Sequence, residues 1–127
     1  MRLVLPIACA SVAAGIVLAA FPAPAAATPN GLFLAVSAHG NSWLRAVVIQ
    51  CPGRAYQHPY GEATCAVVAA AGGDFDRLPR DPHPCTKEYD PVTATMSGIW
   101  RNRPITWQKT FSNACVLDAA TGPVFRF

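Results

Sequence analysis

Few side chains in this sequence could act near neutral pH. His39, His58 and His83 are its only imidazoles, and no G-x-S-x-G elbow, H-E-x-x-H helix or glycine-rich phosphate loop accompanies them. The carboxylate pairs Asp74/Asp76 and Glu88/Asp90 are spaced two residues apart, but each lies beside a cation, Arg77 or Lys87. They read as solvated charge rather than as an acid–base pair, and an enzyme is not expected. Cysteines Cys51, Cys65, Cys85 and Cys115 form no C-x-x-C pair, and no histidine stands three to five residues from a cysteine or another histidine. That spacing does not suit zinc, and no metal or other cofactor is expected.

The stretch that invites a function is Pro82–Pro91, PHPCTKEYDP. Its prolines favour an extended backbone, and Lys87 lies two positions after Cys85. If Cys85 is bonded to Cys115, an exposed loop is tied to the domain body close to the Lys87–Glu88 bond. A serine protease binds its substrate extended, with one side chain in a specificity pocket. A loop already held in that shape loses little conformational entropy on binding. After cleavage the staple would keep the new amine beside the acyl-enzyme, so religation competes with hydrolysis. The plainer alternative is a proline-rich surface loop with an incidental lysine.

The elements that must position this loop follow from composition and pattern. The chain has 127 residues, 52% hydrophobic and 13% charged, which allows one small domain and argues against a coiled coil or a long disordered tail. Residues 1–27 have the layout of a secretory signal: Met1-Arg2, an uncharged run Leu3–Phe21, then the small-residue segment PAPAAA ending at Ala27. A membrane anchor is the rival, but Pro6 and the lack of a basic stop-transfer cluster speak against it. Cleavage leaves residues 28–127, with nine basic and seven acidic side chains and a net charge of +2. So small and scattered a charge gives no reason to expect a nucleic-acid or membrane partner.

Losing Cys9 with the signal leaves four of the five cysteines, and an even count in a secreted chain of this size implies two disulfides with three possible connectivities. Pairing of sequence neighbours, Cys51–Cys65 and Cys85–Cys115, is the expectation adopted, each bridge stabilising by ~3 kcal/mol in the loop-entropy model. Leu32–Ser37 and Trp43–Cys51 read as a hairpin, and Pro52–Pro59 as a loop. Glu62–Ala71 reads as a helix stopped by Gly72-Gly73. Val92–Trp100 and Ile105–Phe111 form a second hairpin about residues 101–103, with Asn102 suited to a positive φ. Ser112 or Asn113 caps a short helix to Ala120, and Pro123–Phe127 reads as a closing strand. The fold class is therefore α+β: a five-stranded antiparallel sheet, two helices and two disulfides.

The segments CTKEYDPV (85–92), GIW (98–100), TFSNACV (110–116) and PVFRF (123–127) together resemble the Streptomyces subtilisin inhibitor family, as do Cys51, Cys65 and Gly72-Gly73-Asp74. The resemblance runs along the whole chain after residue 27. It implies a five-stranded sheet with two helices, bridges between neighbouring cysteines, and a homodimer formed by sheet packing. Carried over by position, Lys87 is P1 and Glu88 P1′, with Thr86 at P2, Cys85 at P3, and Tyr89 and Asp90 on the primed side. Asn113 matches the family asparagine that supports the loop by hydrogen bonding, whereas read locally it is a helix N-cap. The two roles are expected to need different rotamers.

A lysine at P1 suits a pocket with an acidic floor, so trypsin-like proteases are the expected best partners, with subtilisin-like ones held mainly by loop backbone and shape. Two rivals are a secreted wall-polymer binding module without protease inhibition, and a cross-linking substrate modified at Lys87.

Overall fold

The computed structural model describes residues 31–51 and 58–127, with residues 15 and 19–21 as isolated positions. The cleavage region of the expected signal and most of the expected loop after Cys51 lie outside the described residues. Among the described residues no helix is long and apolar enough to cross a membrane.

Four antiparallel strands make the sheet: β1 (Gly31–Ala38), β2 (Leu44–Gln50), β3 (Val92–Trp100) and β4 (Arg103–Phe111), in the order β2-β1-β3-β4. Both hairpins expected from the sequence are present. The turn of the second is tighter than the sequence suggested, because Arg101 and Asn102 both take positive φ (48° and 63°), and pairing resumes at Trp100–Arg103. Pro104 lies inside β4, which is tolerated because β4 is an edge strand whose outer N–H groups need no partner.

One face of the sheet is the core. Leu32, Leu34 and Val36 of β1, Ile49 of β2, and Ala94 of β3 are fully buried, with Val47, Val92 and Met96 close behind. Over them lie helices α1 (Gly61–Ala70) and α2 (Ala114–Thr121), which contribute Val68 and Leu117. Phe75 and Phe125 pack on Trp107 of β4 with ring centroids 5.5 and 5.8 Å apart. Each buried aliphatic side chain stabilises the fold by ~2 kcal/mol relative to exposure, so this one-sided layer is the main driving force. Gly72 and Gly73 (φ 65° and 80°) end α1 as the sequence indicated, with Gly73 N–H donating to Val68 O at 3.0 Å.

The opposite face is open. Register places Phe33, Ala35 and Ser37 beside Leu44, Ala46 and Val48 on one side and Thr93, Thr95 and Ser97 on the other. Phe33, Val48 and Leu44 are 45, 47 and 65% exposed there.

Among the described residues the sheet has four strands, not the five expected. In place of the closing strand, Gly122–Phe125 forms a 3-10 turn with Pro123 in its first positions. The apolar residues responsible for the strand reading are adjacent rather than alternating: Val124 and Phe125 are both buried, 0 and 5% exposed. A strand covered on one side would turn one of them to solvent, whereas a tight turn over the core can bury both.

At Gly98 the backbone of β3 leaves no room for a side chain against β1. A Cβ there would lie 2.1 Å from Gly31 O and 2.9 Å from Leu32 Cα, atoms of a paired backbone that cannot swing aside. Gly98→Ala is expected to lose about 3 kcal/mol, read as a fall in Tm of roughly 15 °C. An unchanged Tm would show that the two strands can separate locally without cost.

Candidate functional site

Residues 78–91 cross from the end of the Phe75–Arg77 turn to β3 without regular structure, as Pro79, Pro82, Pro84 and Pro91 require. Thr86, Lys87, Glu88, Tyr89 and Asp90 are all exposed, and Cys85 is half-buried. The side chains of Lys87 and Glu88 make no hydrogen bond or ion pair among the described residues.

An exposed, irregular segment of this length would ordinarily be mobile. Here it is pinned at intervals, almost entirely by α2 and the residues leading into it. Asp81 N–H donates to Ala119 O at 3.0 Å, and Asp90 N–H donates to Ser112 O at 2.9 Å. Between them Cys85 is bonded to Cys115 on the first turn of α2, with Cα atoms 5.7 Å apart. The second disulfide, Cys51–Cys65, joins the end of β2 to α1 and is remote in sequence from the segment.

Asn113 adds the closest support. It is 7% exposed, and its Nδ2 donates to Thr86 O at 3.2 Å and Glu88 O at 2.9 Å, the carbonyls on either side of Lys87. Its Oδ1 meanwhile accepts from Val116 N–H at 2.9 Å, the N-cap bond of α2. The expectation that cap and loop support need different rotamers is therefore wrong. An amide has an acceptor at one end and two donors at the other, so one rotamer serves both.

A second polar cluster, which sequence reasoning missed, lies at the N-terminal stem of the segment. His83 Nε2 is 2.7 Å from Asp118 Oδ2, and Arg126 donates to both Asp118 oxygens and to Asp81 Oδ2 at 2.5 to 3.0 Å. The bond to Asp118 holds His83 in its charged form above the ordinary value of 6.5. Arg126 and, less strongly, His83 hold the Asp118 carboxyl below the usual carboxylate range. No local motif announces this cluster, because His83 and Asp118 are 35 residues apart and Asp81 and Arg126 are 45 apart. His83 also lies near Cys85 and Cys115, their ligand atoms within 4.8 Å of one another. The two sulfurs are bonded to each other, so neither offers a thiolate to a metal.

The other histidines are not part of this region. His58 is buried in the body, where its Nδ1 accepts from Tyr60 N–H at 2.9 Å and its Nε2 lies 2.7 Å from Val124 O, a structural role. His39 lies in the exposed turn between β1 and β2. Asp74 accepts from Asp76 N–H, and Asp76 accepts from Trp107 Nε1 at 3.0 Å, so that acidic pair is engaged locally.

An exposed extended segment tied to the domain body by a disulfide and a bridging amide loses little conformational entropy when a partner binds it. Residues 28–113 match the family model described as subtilisin inhibitor-like. The chain is 42% identical over 105 residues to subtilisin inhibitor-like protein 2 of Streptomyces rochei, covering 78% of this chain and 93% of that one. It is 39% identical over 106 residues to plasminostreptin of Streptomyces antifibrinolyticus, covering 78% and 96%. Among solved structures it is similar to Streptomyces caespitosus sermetstatin in complex with Bacillus licheniformis subtilisin, at 30% identity and a TM-score of 0.58 over 76% of this chain and 96% of that one. With a family model matched over most of its length and relatives that are inhibitors rather than enzymes, this chain belongs to the subtilisin inhibitor-like family.

Proposed function

We propose that the protein is a secreted inhibitor of serine proteases that presents Lys87–Glu88 as its reactive bond, with Lys87 as P1 and Glu88 as P1′. The observation that carries this reading is the Asn113 amide, which bridges the carbonyls of Thr86 and Glu88 and so fixes the backbone on both sides of Lys87. The Cys85–Cys115 bridge two residues upstream supports it, as does the freedom of the Lys87 side chain to enter a pocket. Cys85 and Thr86 then meet the protease on the non-primed side, Tyr89 and Asp90 on the primed side. An acidic specificity pocket rewards the lysine, so trypsin-like proteases are the preferred targets, with subtilisin-like enzymes bound mainly through the loop backbone.

Residues 1–27 serve as the export signal and residues 28–127 as the inhibitor domain. Two copies associate through the open sheet face, whose exposed Phe33, Leu44 and Val48 give it an apolar patch on its β1–β2 side. Titrating trypsin and subtilisin with oxidised Thr28–Phe127 tests the reading, and light scattering on the same sample reads the dimer. Activity should vanish near one loop per enzyme, with slow cleavage mapping to Lys87–Glu88 and a mass of two chains. Rapid digestion without inhibition would refute the inhibitor, and a single-chain mass at the highest workable concentration would refute the dimer.

A further inference from the structure

We propose that His83 is a positioning residue for the Lys87–Glu88 bond: clamped between Asp118 and the Cys85–Cys115 disulfide, it fixes the N-terminal stem of the loop more firmly as imidazolium than as imidazole. This inference rests on the reading of Lys87–Glu88 as the reactive bond.

Both ring nitrogens face partners. Nε2 is 2.7 Å from Asp118 Oδ2, while Nδ1 is 3.4 Å from the Pro84 carbonyl and 3.6 and 3.8 Å from the sulfurs of Cys115 and Cys85. A neutral imidazole carries one N–H and can donate to Asp118 or to Pro84 but not to both. The imidazolium donates to both, joining α2 to the residue that immediately precedes Cys85. His83 therefore acts on the loop through Pro84 and the disulfide, four residues before Lys87.

The charges around the ring favour that form. Asp118 faces it from α2, and Asp81 from its own segment. Arg126, from the C-terminal segment, binds both carboxylates. With His83 charged, two cations balance two anions; with His83 neutral, the cluster keeps one uncompensated negative charge. The raised pKa agrees in direction. A cation stabilised by folding strengthens the fold below its ordinary titration range near 6.5, and that contribution is lost as pH rises through the raised value. Loop fixation should weaken in the same direction. Cys85 and Cys115 do not titrate as a disulfide.

The test compares subtilisin binding by the native chain, His83→Gln and Asp118→Asn from about pH 5.5 to about pH 8.5. Titration of the protease itself affects all three alike and cancels in their ratios. His83→Gln is expected to bind about threefold more weakly than the native chain at the acid end, the difference shrinking toward none at the alkaline end, as for a solvent-screened ion pair. Asp118→Asn should lose the same pH dependence. Ratios that stay flat with pH would overturn the inference while leaving the inhibitor intact. A second arm uses the native chain without protease: the backbone amide resonances of Cys85–Glu88 should titrate with the midpoint of the His83 ring. Loop amides that ignore that midpoint would overturn the inference too. Should no variant inhibit at any pH, the reactive-bond reading fails, and the resonance titration alone decides whether His83 positions the segment.

Discussion

Replacing Lys87 with alanine is expected to weaken binding to trypsin by about a thousandfold, roughly 4 kcal/mol, and binding to subtilisin by only about tenfold. The asymmetry follows from what each protease pocket offers. In the complex with trypsin the ammonium would be buried against an acid at the pocket floor. Truncation removes the cation and leaves that acid desolvated and unpaired, a change that costs 2–5 kcal/mol or more across interfaces in general. Where the pocket holds no acid, the loss is mainly that of the buried stem, roughly 0.8 kcal/mol per methylene less the part that stays in water. The substitution is also clean. Lys87 is exposed and its side chain makes no hydrogen bond or ion pair among the described residues, so the fold has no stake in it. Dissociation constants of both variants with both proteases provide the check, and equal losses would remove Lys87 as the determinant of trypsin preference.

Much of this arrangement was legible in the sequence, for identifiable reasons. The second hairpin carries period-2 burial: along β3, Val92, Ala94 and Met96 are buried while Thr93 and Thr95 are less so. That signal is local and survives folding unchanged. The glycine pair after α1 and the proline-bounded exposed segment were equally plain, since both act through backbone dihedrals that their own residues dictate. The last five residues were misread because a short apolar run specifies burial but not its period, and Pro123 with Gly122 turned it into a 3-10 turn. The polar cluster at the stem left no signal at all. His83, Asp81, Asp118 and Arg126 meet only after α2 and the C-terminal segment have packed against the loop, and nothing in the spacing of four charged residues foretells that.

At Asn113 the local and tertiary roles coincide in one side chain, and a single-atom change separates them. Asn113→Asp keeps an oxygen to accept from Val116 N–H, and a carboxylate at a helix N-terminus is at least as good a cap as an amide. Helix α2 should therefore persist, with Tm altered by no more than about 5 °C. The other end of the side chain changes from donor to acceptor. Thr86 O and Glu88 O, now held at 3.2 and 2.9 Å by Nδ2, would face a negatively charged oxygen instead. The loop loses two hydrogen bonds of ~1 kcal/mol each and gains repulsion. Its two sides would then drift apart once Lys87–Glu88 is cut, so the new amine spends less time beside the acyl-enzyme and hydrolysis gains on religation. The expected result is temporary inhibition: stoichiometric block at first mixing, followed by cleavage at Lys87–Glu88 about a hundredfold faster than in the native chain. Asn113→Ala serves as the contrast, because it loses the cap as well and should cost about 1 kcal/mol more in stability than the aspartate variant. Following enzyme activity and intact inhibitor together over time distinguishes the cases. An Asn113→Asp protein that resists cleavage as well as the native chain would mean that the Cys85–Cys115 bridge alone holds the loop, and that the amide is only a helix cap.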